Sequence, residues 1–223
     1  MSQYICVDIG GTSIKHGVLD ENAIIKECNQ TKTEAWLGGA AVLDKVKTIG
    51  KQYKEQYENI EGICISTAGM VDPEEGKIVF AGELMPDYTG TCIKKELEKA
   101  LEMPCEVEND VNCAGLAEYV SGSAKESHIM FCATVGTGIG GCAIVNGRVF
   151  QGASNSACEV GYIPMGDSDF QTLGASSILV RKVAEKKIEP LDMWDGKKIF
   201  ALAEKGDKVC ISAIKEMCDV LGK

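Results

Sequence analysis

"VDIGGTSIKHGVLDENAII", residues 7–25, decides how this chain is read. Apolar runs flank a double glycine, so the stretch predicts a strand, a tight turn at Gly10–Gly11 and a second strand. Tight glycine turns present consecutive backbone N–H groups with no side chain in the way, and such concavities bind anions. Thr12 adds a hydroxyl and Lys15 a cation. Asp8 fits beside a bound polyphosphate if it holds Mg²⁺, directly or through the ion's water shell. The plainer readings are a hairpin whose glycines supply positive φ angles and a strand-end Asp making a local turn bond.

The pattern recurs. "CVDIGGTSIKHGVLDEN" aligns at constant offset with "CATVGTGIGGCAIVNGR", pairing Cys6 with Cys132, Asp8 with Thr134, Gly10 with Gly136, Val18 with Ile144 and Asp20 with Asn146. Both read strand, Gly/Thr turn, strand, Asp/Asn turn, strand, which points to a duplicated lobe with two glycine turns facing across a cleft. "GTGIGG" at 136–141 matches G-x-G-x-x-G literally, but that dinucleotide fingerprint must open a helix, whereas "GCAIVNGRVF" continues as strand with an Asn-Gly hairpin signal. No G-x-x-x-x-G-K-[ST] phosphate loop occurs.

Further strands are predicted at 23–27, 62–66, 77–80, 104–108, 128–135, 141–145 and 147–151. Helical periodicity marks about 37–57, 91–102, 110–121, 174–187, 196–204 and 206–221. The class is α/β, with strand clusters opening two halves.

Composition narrows the function. In 223 residues, 45% are apolar and the net charge is −10, which argues against a nucleic-acid surface. No apolar run is long enough for a membrane span and no signal sequence opens the chain, so a cytoplasmic protein is expected. The eleven cysteines sit mostly in apolar runs and read as small core residues in a reducing compartment. Without CxxC pairs, and with only His16 and His128 as histidines, a structural zinc site is not expected.

Two acidic stretches carry the remaining chemistry. "PCEVENDVNCAGLAEYV" reads as a strand ending at Glu108 or Asn109 and a helix starting near Asp110. Asp110 is either its N-cap or a base at the carboxyl end of a strand, where α/β proteins place ligand crevices. Asn109 could orient hydroxyls. In "SNSACEVGYIPMG", Glu159 and Tyr162 would suit a polyol, although Glu159 could equally be a solvated loop acid.

Taken together, "DIGGTSIKHGV", "GICISTAGMVDPEEGKI", "VENDVNCAGLAE", "TVGTGIGGCAIVNGRVFQG" and "ACEVGYIPM", in this order from Tyr4 to about Glu185, resemble the ROK family of sugar kinases and repressors, within the actin, hexokinase and Hsp70 superfamily. The resemblance implies duplicated actin-like (ribonuclease H-like) lobes with a cleft between them, at 1–117 and 118–223, the second incomplete. It places Asp8, Gly10, Gly11, Thr12 and Lys15 in a first phosphate turn and Gly136, Thr137, Gly138 and Gly140 in a second, binding ATP with Mg²⁺ at Asp8. Asp110 matches the general base, and Gly69, Asn109 and Glu159 match sugar contacts. The acceptor would be a hexose, a β-glucoside or an N-acetylhexosamine, and a homodimer is compatible.

The chain departs from the family at three points. Tyr162 stands where most members have a histidine, and the cysteine-rich zinc motif is absent, so Tyr162 is expected to face the sugar instead of a metal. A second family glutamate has no assignable counterpart. Members also continue past a helix like "DKVCISAIKEMCDVLGK" into a strand, an adenine-packing glycine turn and closing helices, so the chain reads as truncated. The alternatives to a kinase are a sugar or nucleotide binder without catalysis, and a sugar-responsive repressor. The latter would need a DNA-binding segment ahead of Asp8.

Overall fold

The computed structural model describes residues 1–82 and 85–223, in two compact units. One comprises Met1–Ala114 with Ala153–Asn155, the other Gly115–Gly152 with Ser156–Lys223.

In the first unit, β1 (Gln3–Ile9), β2 (Ser13–Asp20), β3 (Ile25–Lys32), β4 (Ile60–Thr67) and β7 (Cys105–Asn109) form one sheet in the order β3-β2-β1-β4-β7. β1 runs antiparallel to β2 and parallel to β4, and β4 runs parallel to β7. A hairpin of β5 (Met70–Asp72) and β6 (Lys77–Phe80) stands beside them in sequence. Side chains alternate along these strands to give the sheet two distinct faces. Ile5, Val7 and Ile9 of β1, Ile63 and Ile65 of β4 and Val107 of β7 share a core with Val42, Val46 and Ile49 of α1 (Gly39–Gln56) and Leu97 and Leu101 of α2 (Ile93–Leu101). The other face carries Cys6 and Asp8, Cys64 and Ser66, Glu106 and Glu108, neighbours row by row across β1, β4 and β7. The helix α3 (Asp110–Ser121) follows β7 directly.

In the second unit, β8 (Ile129–Val135), β9 (Ile139–Val145) and β10 (Arg148–Val149) form an antiparallel sheet. Asn146 and Gly147, both at positive φ, close the β9–β10 hairpin, as the Asn-Gly signal requires. β8 is an edge strand, with Ile129 71% and Phe131 58% exposed. A short hairpin of β11 (Pro164–Met165) and β12 (Ser168–Asp169) leads into α4 (Phe170–Gly174), α5 (Ser176–Lys187), α6 (Gly196–Glu204) and α7 (Lys208–Leu221). Leu179, Val183, Trp194, Ile199, Cys210, Ala213 and Met217 form the core of these helices.

Three sequence expectations need correction. β3 runs Ile25–Lys32, beyond the expected 23–27, because it is a polar, exposed edge strand with no apolar alternation to mark its end. The cysteines are not mostly core: only Cys105, Cys142 and Cys210 are buried, while Cys28, Cys64 and Cys218 are exposed. The internal repeat is not at constant offset. In the first hairpin Ile9 faces Ile14 across Gly10, Gly11, Thr12 and Ser13, whereas in the second Val135 faces Ile139 across Gly136, Thr137 and Gly138. The shorter second turn shifts the equivalence by one residue after it. Val18 faces Ile5, but Ile144 faces Met130, the neighbour of the residue that the constant offset would require.

Candidate active site

The first glycine turn joins β1 to β2, with Gly10 N–H donating to the Ser13 carbonyl at 3.1 Å. Neither Gly10 nor Gly11 has a positive φ, so conformational freedom does not explain them. A Cβ at Gly10 would lie 2.9 Å from the Ser13 carbonyl, so packing within the hairpin accounts for that residue. A Cβ at Gly11 would meet nothing within 4 Å. No protein group therefore requires a glycine at position 11, and the bare backbone there leaves space for something outside the chain.

Gly136 follows the same logic, with no positive φ and open space where its Cβ would be. The second turn is closed by Gly136 N–H to the Gly138 carbonyl at 2.9 Å. The start of α5 pins it: Ser177 Oγ donates to the Thr137 carbonyl at 2.6 Å and Ser176 Oγ to the Val135 carbonyl at 3.2 Å. A Cβ at Gly138 would fall 2.7 Å from Gln171 Oε1, and one at Gly161 would fall 3.2 Å from the same atom. Gln171, on α4, thus packs between the second turn and the Glu159–Tyr162 segment. Gly140 lies within β9, opposite Thr134.

Asp8 stands beside Lys15 in the β1–β2 register, with Lys15 Nζ 3.8 Å from its Oδ2 and both side chains substantially exposed. On the other side, Ser66 Oγ donates to Asp8 Oδ1 at 2.8 Å. Asp8, Ser66 and Glu108 are direct neighbours across β1, β4 and β7. This row lies at the carboxyl ends of parallel strands, the edge where α/β sheets place ligand sites. The bond to Ser66 reaches another strand, and among the described residues Asp8 makes no bond within its own turn, the plain reading of this residue.

Asn109, the last residue of β7, caps α3. Its Oδ1 accepts from Val111 N–H at 2.8 Å and Asn112 N–H at 3.1 Å. Its Nδ2 donates to the Gly69 carbonyl at 2.9 Å and to Asp110 Oδ1 at 3.0 Å. Asp110 Oδ1 also accepts from Val111 N–H at 3.0 Å. The principal cap is therefore Asn109, and Asp110 is the first residue of the helix. Loss of solvation raises the Asp110 pKa above the usual aspartate value, and the Asp8 carboxylate adds to the rise. Glu108 Oε1 accepts from Asn109 N–H and Asn112 Nδ2, which ties the strand end to the first helical turn.

Gly69 has a structural reason to be glycine: φ is +103° and a Cβ would lie 2.7 Å from the Phe80 carbonyl. Glu159 precedes a single 3₁₀ turn at Val160–Tyr162, and Tyr162 is 56% exposed. Among the described residues no group of three or more His, Cys, Asp or Glu side chains is gathered to hold a metal, and no helix is long and apolar enough to cross a membrane. Asp8, partly open to solvent and outside any such group, fits Mg²⁺ held through its water shell better than a closed protein cage.

Sequence reading placed both turns and named the acids beside them but gave no sign of Ser66, Glu108 and Gln171 as neighbours that support them. Each depends on contacts from another element, for which the local sequence carries no signal.

The sequence profile of the ROK family matches residues 4–223. An uncharacterized protein of Clostridium perfringens is 46% identical over 222 residues, covering 99% of this chain and 75% of that protein. A beta-glucoside kinase of Klebsiella pneumoniae is 30% identical, covering 96% of this chain and 73% of its own length. Among solved structures, a ROK family glucokinase from Streptomyces griseus, in complex with glucose and AMPPNP, matches with a TM-score of 0.85 at 26% identity, over 99% of this chain and 77% of that one.

Proposed function

This chain belongs to the ROK family and has the actin-like ATPase fold of its sugar kinases, and on that premise we propose that it is an ATP-dependent sugar kinase with Asp110 as general base. The observation that carries the assignment of the base is the division of labour at the start of α3. Asn109 caps the helix and holds Asp110 Oδ1, which leaves Oδ2 to meet a substrate hydroxyl. A carboxyl with a raised pKa is a better proton acceptor than an ordinary aspartate, provided it is ionised at the working pH.

In the proposed reaction the N–H groups of both glycine turns, with Lys15, Thr12 and Thr137, hold the phosphates of ATP. Gly136, Gly138 and Gly140 keep the second turn free of bulk. Asp8 would hold Mg²⁺ through water, and the ion would offset charge on the phosphate oxygens. Asp110 Oδ2 takes the proton of the sugar hydroxyl as its oxygen bonds to the γ-phosphorus, and the bond to the β–γ bridging oxygen breaks to release ADP. The work of the protein is positioning and charge stabilisation. Glu159, Tyr162, Asn109 and the backbone at Gly69 are the proposed sugar contacts. Asn109 can reach a sugar only by sharing hydrogen bonds it already gives to Gly69 and Asp110.

An ADP-release screen with ATP and Mg²⁺ against hexoses, N-acetylhexosamines and β-glucosides tests this. Sugar-dependent release by one acceptor class is expected. Saturable sugar and nucleotide binding with no ADP release from any class would favour a binding protein without catalysis.

A further inference from the structure

The first glycine turn is held from behind. Thr33, just past the end of β3, is 0% exposed. Its Oγ1 donates to the Gly10 carbonyl at 2.6 Å, and its N–H donates to the Thr12 carbonyl at 3.1 Å. Lys45 of α1 secures this support by donating to the Thr33 carbonyl at 2.9 Å and the Lys32 carbonyl at 3.2 Å while pairing with Glu34.

These bonds fix a direction. In a trans peptide the C=O and the following N–H point opposite ways, and no cis bond occurs among the described residues. Drawing the Gly10 and Thr12 carbonyls toward Thr33 therefore turns the N–H groups of Gly11 and Ser13 away from it. At Gly11 that is the side chain-free stretch where a Cβ would meet nothing.

We infer that Thr33 is a positioning residue for the nucleotide: by gripping Gly10 and Thr12 it aims the N–H groups of Gly11 and Ser13 at the phosphates. The inference rests on reading the first turn as a phosphate site. Thr33 touches no phosphate itself. Valine at this position would keep the shape and lose the donor, leaving the Gly10 carbonyl without this partner, whereas serine would keep the donor.

The test is calorimetric titration of the full chain with AMPPNP and Mg²⁺, alongside melting temperatures, for the parent, Thr33→Val, Thr33→Ser and Gly11→Val. Thr33→Val is expected to weaken AMPPNP binding by roughly tenfold or more, and Thr33→Ser to stay within about threefold of the parent. Parent-like affinity in a folded Thr33→Val, or a loss in Thr33→Ser as large as in Thr33→Val, overturns the inference. If Thr33→Val does not fold, Thr33→Ala replaces it under the same criterion, and collapse of both overturns it in favour of a purely structural role. Gly11→Val separates the two levels. If it binds AMPPNP as the parent does, or if the parent binds none, the phosphate reading of the turn fails and this inference with it. If Gly11→Val loses binding while Thr33→Val keeps it, only the role of Thr33 fails.

Discussion

Asn109 caps α3 and in the same act tethers Asp110: its Oδ1 accepts from Val111 and Asn112 N–H, and its Nδ2 donates to Asp110 Oδ1 at 3.0 Å. Two adjacent polar residues at a helix start thus divide structure and chemistry between them.

Asn109→Ala should therefore lower stability by about 1 kcal/mol, the usual loss on removing a helix cap. The untethered Asp110 should also lose turnover. Asp110→Asn should leave the melting temperature no lower than that of the parent, because the principal cap remains. Thermal melts of the two variants check the division. A larger loss of stability in Asp110→Asn than in Asn109→Ala would return the capping role to Asp110.

The glycines separate in the same way. Gly69→Ala places a Cβ at φ +103° and 2.7 Å from the Phe80 carbonyl, so it should destabilise by more than about 1 kcal/mol. Gly11→Ala and Gly136→Ala add a Cβ where nothing stands and need no left-handed backbone, so their melting temperatures should stay near the parent's. Nucleotide affinity should nevertheless fall in both. Chemical denaturation and AMPPNP titration of the three variants decide the matter; unchanged affinity in both alanine variants would leave the turns as plain hairpins.

The contrast at Gly69 and Gly11 also marks what was legible in the sequence. Closely spaced glycines announced the turns, but whether a glycine serves the fold or a ligand depends on φ and on what its absent Cβ would touch. The helices read at 110–121 and 196–204 are α3 at Asp110–Ser121 and α6 at Gly196–Glu204; the sequence pattern fixed their extent. It gave no sign of β11, β12 or α4, which are too short to complete a repeat, or of the polar end of β3. At the site, the acids could be read because they lie in a local motif. The row Asp8–Ser66–Glu108 and the grip of Thr33 on Gly10 could not, because strand order and register bring together residues far apart in the chain.

Glu159→Gln and Tyr162→Phe should each weaken sugar affinity and leave AMPPNP affinity within about threefold of the parent. Each change keeps the side chain's shape and alters its hydrogen-bonding capacity, at residues that are not themselves part of either glycine turn. Binding isotherms for the acceptor found in the ADP-release screen provide the measurement. A loss confined to AMPPNP would move this segment to the nucleotide, a reassignment that Gln171, packed against both Gly138 and Gly161, would then help explain.

Asp110 gives the sharpest expectation, because its raised pKa acts on both rate and stability. A general base must be ionised, so kcat should rise with pH along a limb whose midpoint lies above the ordinary aspartate value, displaced by lost solvation and by the Asp8 charge. Asp110→Asn should cut kcat by roughly 10²- to 10⁴-fold and abolish that limb. For stability the sign is opposite to that of an ion-paired carboxylate. A folded-state pKa above the unfolded one means that the protonated acid favours folding, a contribution complete below the unfolded pKa and lost as pH rises through the folded value. At neutral pH the parent therefore bears the cost of an aspartate that ionises less readily in the folded state, a cost that Asp110→Asn lacks. The variant should melt at or above the parent temperature there, with its advantage shrinking as pH falls through the folded pKa. Melting curves across pH, paired with kcat profiles on the same preparations, test both halves. A variant that keeps kcat within about threefold of the parent and retains the pH limb would remove Asp110 as the base.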